Sequence, residues 1–302
     1  MATLQQRTGS SVRYGIFAIS LAAILWGTVG IATQAIFQLA ATDPLSIGLL
    51  RLGIAGPILL IVSWLTLGRR MFQIAGRDAA AMLLIGATMA AYQVSFFAAI
   101  ARIGVTMAVL ITLCCAPMFV ALGAWIFLRE TLTRWHGYAL VGALCGTTLL
   151  VGGEAFASSS LHTLLVGALL AGGASLGFAL MTLSSRALAG RYHPLVPMAW
   201  GLTLSALLLL PFGLFQGIVL DYPLGGWLTL LYLGMIPTAL AFVIFLVGMQ
   251  HVSATAASIV TLLEPLTATL LAWVLFGEQL GALGWLGAVL LLGAVALLSR
   301  ER

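Results

Sequence analysis

Glu264 and Pro265 stand side by side near the middle of an otherwise apolar stretch, residues 253–276. A carboxylate in such a setting is costly, and Pro265 both lacks an N–H and crowds the carbonyl of Thr261, so two local faults coincide. Two uses are open to the carboxylate: exchanging a proton or holding an ammonium group, or bonding the backbone groups that Pro265 frees. Thr261 and Thr267, three residues to either side, share its helical face. Arg51 is the second charge set in apolar sequence, seven residues after Pro44 and therefore about 10 Å along a helix from it. It either receives a carboxylate or snorkels outward toward Asp43. An Arg and a Glu projecting into one space would suit a zwitterion.

Uncharged candidates surround these two. Trp26 stands beside a stripe of Gly27, Gly30, Gln34 and Gln38 at helical spacing, and Thr88, Tyr92 and Ser95 fall on one face with Gln93 adjacent. Thr112, Trp200 and Thr238 complete the set. Aromatic and amide groups converging on a cavity would stack on and orient an apolar or aromatic side chain. The competing use of each is contact between helices, through small residues and interhelical hydrogen bonds. The glycine pairs Gly142/Gly146, Gly173/Gly177 and Gly213/Gly217 read as packing contacts in the same sense, with a homodimer interface as the alternative.

Other chemistry finds little footing. His136, His162, His193 and His251 are scattered, and Cys114, Cys115 and Cys145 lie in apolar sequence. No pair has the spacing of a metal site or a disulfide framework, and HExxH, GxSxG and Walker-type loops are absent. Neither cofactor nor metal is expected. The cationic residues are all Arg, thirteen of them, dispersed between apolar stretches and not gathered into a nucleic-acid-binding patch.

The elements that must position these residues follow from composition. At 62% hydrophobic, 7% charged and a mean hydropathy of +1.15, the chain carries more apolar surface than a soluble domain of 302 residues buries. Ten segments approach the roughly 20 apolar residues of a spanning helix: 14–38, 44–67, 78–101, 105–128, 134–152, 163–189, 194–216, 225–249, 254–276 and 281–299. The first is too long for a signal h-region and reads as a span. Connections are short, so function must reside in the bundle. Arg7, Arg13, Arg69, Arg70, Arg77, Arg129, Arg134, Arg186, Arg191, Arg300 and Arg302 fall in the tails and even-numbered loops, and only Arg102 in the others. Both termini are therefore expected in the cytoplasm.

The chain also repeats itself. An offset of 148 positions relates Gly86 to Gly234, Phe97 to Phe245, Pro117 to Pro265 and Glu130 to Glu278, and Pro44 and Pro194 open the second span of each half. The expected organisation is a tail (1–13), a first five-helix repeat (14–152), a linker (153–162), a second repeat (163–299) and a short tail (300–302). Five is odd, so the two repeats are inverted in the membrane, a plan that places a substrate site near the midplane beside interrupted helices. Pro117 and Pro265 are the expected interruptions and hinges. Position 116, equivalent to Glu264, is Ala.

Trp26-Gly27-Thr28, Pro44 with Arg51, Pro117 with Glu130, Glu264-Pro265 and Phe276-Gly277-Glu278, in this order and across essentially the whole chain, resemble the EamA-type branch of the drug/metabolite transporter superfamily. Within it the chain is similar to the YddG-type exporters of aromatic amino acids. The resemblance implies a multi-pass protein of the bacterial inner membrane that exports amino acids by alternating access, through a cavity lined by the first four spans of each half. Glu130 and Glu278 carry over as structural. The alternatives are export of another small metabolite or drug and, more remotely, a membrane-embedded enzyme, which would need a cluster of His, Ser or carboxylates at one depth.

Overall fold

A computed structural model describes residues 9–151, 161–276 and 281–299. The tail before Gly9, most of the expected linker, Gly277-Glu278 of the last motif and the final tail lie outside the described residues. All the helices and strands named there are helices: α1 (Gly9–Leu39), α2 (Pro44–Leu67), α3 (Gly76–Phe127), α4 (Arg134–Val151), α5 (Leu161–Leu188), α6 (Leu195–Gln216), α7 (Leu224–Leu233), α8 (Ala241–Met249), α9 (Ala254–Val260), α10 (Leu263–Phe276) and α11 (Ala282–Leu298). Seven helical runs among the described residues are long and apolar enough to cross a membrane, α11 being shorter.

α3 has 52 residues, about 78 Å if straight, far beyond the roughly 30 Å apolar core of a bilayer. It folds back at Gly104, whose φ of 77° and ψ of 166° are non-helical and suit a residue without a Cβ. Both arms then lie along α5. Gly167, Gly173 and Gly177 meet Ile103, Ser95 and Thr88 of the first arm in descending order, while the Ser175 hydroxyl donates to the Thr112 carbonyl at 3.1 Å and Gly123 abuts Leu183 in ascending order along the second. The expected gap between segments 78–101 and 105–128 is this reversal.

Pro265, Pro117 and Pro237 act differently. At Pro265 the helix stops at Val260 and restarts at Leu263. Pro265 thereby falls in the first turn of α10, where a missing N–H costs no intrahelical bond. The Thr261 carbonyl that it crowds accepts instead from the Glu264 N–H at 2.9 Å. Segment 254–276 is thus two helices. Pro117 corrects the expectation of a matching interruption: α3 runs through it, and Gly104 is the non-helical residue of that run. Proline's fixed φ is compatible with a helix, so one lost hydrogen bond is tolerated inside a packed one. Pro237 was not singled out from sequence, yet it widens the turn Gly234–Leu240 between α7 and α8 to π-helical spacing, with the Ala241 N–H donating to the Ile236 carbonyl. The Leu233 carbonyl, four residues before Pro237, accepts from the Thr238 hydroxyl at 2.7 Å.

The halves interlock by exchanged contacts. A Cβ on Gly86 would lie 2.9 Å from the Gly201 carbonyl and 2.8 Å from the Leu204 side chain of α6; one on Gly234 would lie 3.1 Å from the Arg51 carbonyl and 2.6 Å from the Ile54 side chain of α2. Gly201 and Leu204 follow Arg51 and Ile54 by 150 positions, the offset of Pro194 from Pro44. One glycine of each pair is spent on close internal packing: Gly146 approaches Gly287 of α11, Gly177 abuts the Thr88 carbonyl, and Gly213 meets Leu49, whereas a Cβ on Gly217 would meet nothing within 4 Å.

Candidate functional site

α1, α2, both arms of α3, α5, the π-turn with α8, and α10 enclose one cavity of about 520 Å³. From α1 it takes Trp26, Gly30, Thr33, Gln34 and Phe37, spaced three or four apart on one face. The neighbouring Gly27 does a different job, since a Cβ there would meet Thr267 at 2.6 Å and the Glu264 carbonyl at 2.8 Å. α1 therefore seats directly on the broken turn that carries Glu264. At Gly30 a Cβ would meet nothing within 4 Å, because that direction is the cavity.

Arg51 and Glu264 both line this space. Among the described residues neither makes an ion pair or a side-chain hydrogen bond. Snorkelling toward Asp43 is corrected by the structure. Asp43 instead caps α2, accepting from Leu45 N at 2.9 Å, Ser46 N at 3.0 Å and the Ser46 hydroxyl at 2.6 Å. Glu264 likewise bonds no backbone group freed by Pro265, whose neighbours satisfy one another.

The wall between the charges is aromatic. Tyr92 stacks on Phe96 with ring centres 5.6 Å apart, Phe97 and Phe178 continue the surface, and Phe242 packs on Trp26 at 4.9 Å. Gln93 is 2% exposed beside Gly48 of α2, and Thr112 lines the cavity while donating to the Ala171 carbonyl at 3.4 Å. Of the residues marked from sequence, Trp26, Gln34, Arg51, Tyr92, Gln93, Thr112 and Glu264 thus share one space. Gly27, Gln38, Ser95 and Thr267 of the same stripes do not line it, and neither do four others. Thr88 donates to the Leu84 carbonyl of its own helix at 2.7 Å, Thr261 to the Ser258 carbonyl at 2.7 Å, Thr238 repairs the Pro237 fault, and Trp200 packs edge-on to Phe72. The phenylalanines were missed because an aromatic residue in an apolar segment carries no signal of its own. Only the helical spacing of Phe96 from Tyr92 pointed inward.

The two ends of the bundle differ. Toward one, the cavity reaches Phe37, Pro44, Ile100 and Val105, which flank the α1–α2 connection and Gly104. On that face the Thr42 hydroxyl meets the Tyr222 hydroxyl at 2.5 Å, and burial pushes the Tyr222 phenol above the ordinary tyrosine range. The opposite face is tied across the halves. Glu130 accepts from Ala254 N at 2.9 Å and Thr255 N at 3.4 Å, capping α9, and pairs with Arg186 at 3.5 Å. His136 meets Ser253 at 3.2 Å, Ser11 meets His251 at 2.9 Å, and Asp78 accepts from Arg191 at 2.6 Å and Tyr192 at 2.9 Å.

A partly polar cavity within an all-helical apolar bundle, reaching toward one face and tied at the other, fits a membrane transporter. The EamA-like transporter family model matches residues 13–152 and 165–300, and the chain belongs to this family, as a multi-pass protein of the inner membrane. It is 33% identical to the uncharacterized transporter YwfM of Bacillus subtilis over 96% of this chain and 95% of that one. It is 32% identical to the uncharacterized inner membrane transporter YicL of Salmonella typhimurium, over 96% and 97%. The pseudopaline exporter CntI of Pseudomonas aeruginosa is 28% identical over 75% of this chain and 77% of its own. A crystal structure 21% identical in sequence superposes with a TM-score of 0.81 over 94% of this chain and 95% of the other, which shows the same fold.

Proposed function

We propose that this transporter exports zwitterionic amino acids with aromatic or other apolar side chains. The observation that carries the reading is the pair Arg51 and Glu264, opposite in charge and without ion-pair or side-chain hydrogen-bond partners among the described residues, facing one aromatic-walled cavity. A substrate carboxylate and ammonium satisfy the pair together, and burying two charges without such partners would be costly. The side chain then lies on Tyr92, Phe96, Phe97 and Phe178.

The proposed frame has ten spans in two inverted halves of five, with α3 counted as two spans and Leu224–Met249 as one. The exchanged Gly86 and Gly234 contacts and the two family matches support it. Both termini lie in the cytoplasm, as the Arg distribution favours, so the tied face is cytoplasmic and the cavity opens outward. Alternating access moves α9 and α10 about the break before Pro265. The pseudopaline exporter among the relatives favours a second reading, export of a different small metabolite.

Counterflow uptake of labelled phenylalanine and tryptophan into proteoliposomes, beside a panel of unrelated metabolites and with or without a pH gradient, tests both. Saturable uptake with mutual competition is expected. A signal for another panel member alone would keep the transporter and overturn the substrate.

A further inference from the structure

Among the described residues with a positive φ, Gly68, Gly104, Gly190 and Gly217 are joined by a single residue that carries a Cβ, Arg129, at 54°. It lies just past the end of α3, on the connection to α4. A side chain is strained in this conformation, which makes the side chain itself a candidate for function. The turn brings the Leu128 and Glu130 N–H groups to one acceptor, the Ala124 carbonyl, at 3.1 and 3.0 Å. That reversal needs the backbone conformation and not the guanidinium, and glycine would supply it without strain.

Arg129 lines a pocket of about 470 Å³ together with Trp125, Glu130, Thr131 and Leu132. Among the described residues its guanidinium has neither an ion pair nor a hydrogen bond, and the Thr131 hydroxyl has no hydrogen bond either. The Glu130 carboxylate opposes an anion only weakly, because it already accepts from Ala254 N and Thr255 N and pairs with Arg186. The surface around the pocket is apolar: Trp125, Ile126 and Phe127 at the end of α3, and Leu132 and Trp135 about the start of α4, are all exposed. In a membrane protein such residues meet acyl chains, and tryptophan gathers at headgroup level. Arg134, the first residue of α4, adds a second cation without an ion pair, 5.3 Å from the centre of the Trp135 ring.

We propose that Arg129, Thr131 and Trp125 form a binding site for an anionic phospholipid on the tied face. The guanidinium pairs with the phosphate, the Thr131 hydroxyl donates to it, and the indole and its apolar neighbours take the glycerol backbone and the first methylenes. A soluble phosphate would meet the same two polar groups but leave the apolar rim uncovered, whereas a lipid covers both. The site also discriminates among headgroups. Phosphatidylglycerol brings a net negative charge, while the ammonium of phosphatidylethanolamine offsets its phosphate and meets Arg129 as a like charge. The site is separate from the cavity, so it stands whatever the transported substrate is.

The test is lipid titration of the purified full-length protein in detergent, read by native mass spectrometry and by thermal melts, with dioleoylphosphatidylglycerol, dioleoylphosphatidylethanolamine and, as the soluble counterpart, glycerol 1-phosphate. The parent is expected to bind phosphatidylglycerol at least about fivefold more tightly than phosphatidylethanolamine, the preference that one Arg confers on an anionic headgroup, and glycerol 1-phosphate should not compete. Arg129→Gly keeps the left-handed turn, so its melting temperature without lipid should equal or exceed the parent's while the preference is lost. Arg129→Asn, which also tolerates this conformation, should lose it too and serves where glycine loosens the turn. Arg77→Gln removes an exposed cation beside Asp78 on the same tied face and should leave the preference intact. A preference retained without Arg129 overturns the site, and so does an equal loss in Arg77→Gln, which would mean diffuse attraction to surface charge. Competition by glycerol 1-phosphate at concentrations like those of the lipid overturns a lipid as the ligand, and no preference in the parent overturns the proposal outright.

Discussion

Glu264→Gln isolates the charge that the proposed mechanism assigns to the substrate's ammonium. Glutamine keeps the volume and removes the charge, and Glu264 has no side-chain partner to lose. Its remaining structural contribution is its place in the first turn of α10, where the helix dipole favours a negative charge by about 0.3–1 kcal/mol. Stability should therefore fall by no more than that. A hydrogen bond involving a charged group contributes about 1.5–3 kcal/mol, so the half-saturating concentration of phenylalanine should rise roughly 10- to 150-fold. The assay pairs counterflow kinetics with a thermal melt in detergent. Binding of 3-phenylpropionate, which lacks the ammonium, should be unaffected. Parent-like half-saturation for phenylalanine across acidic and neutral pH would refute the assignment and remove Glu264 from the mechanism.

Gly27 and Gly30 lie one turn apart on α1 and should separate packing from passage. Gly27→Ala puts a methyl group 2.6 Å from Thr267 and should cost about 1–3 kcal/mol, read as a lower melting temperature. Gly30→Ala should gain up to about 1 kcal/mol from helix propensity, whereas Gly30→Leu should keep the fold and exclude tryptophan before smaller substrates in counterflow. Glu130→Ala removes one of the two side chains that cap α9, leaving the Ser253 hydroxyl on Ala256 N, and the Arg186 pair on the tied face. A loss of about 1–3 kcal/mol is expected in a melt, with faster labelling, from the tied side, of a single cysteine introduced in the cavity by Thr33→Cys in a background freed of Cys114, Cys115 and Cys145. Tyr222→Phe should soften the alkaline edge of stability. The raised phenol contributes stability below its ordinary value of about 10 and loses it as pH rises through the folded value, so the parent's melting temperature should fall more steeply there than the variant's.

How much was legible beforehand differs by residue. The Thr261 to Pro265 fault could be read from two adjacent letters, because a proline's missing N–H and crowded carbonyl act locally. Gly104 sat in the predicted gap between two apolar segments for an equally local reason. Pro117 shows the limit: its chemistry is that of Pro265, yet the helix continues, because packing inside α3 and not the proline decides whether one lost hydrogen bond breaks it. Thr238 shows another. Its hydroxyl looked free for a ligand, and the Leu233 carbonyl orphaned by Pro237 claimed it.

By itself the sequence determined the helical class, the duplicated pattern and which residues share a face, since composition and a 3.6-residue period are properties of one segment at a time. What each face meets was decided by the tertiary structure alone. Spacing put Arg51 on one face of α2 and Glu264 on one face of α10, but only the packing of α1 onto the broken turn and of α2 against Gly234 brings both into one cavity. A hydrogen-bonding group's partner is set by distances between elements, which no single segment encodes.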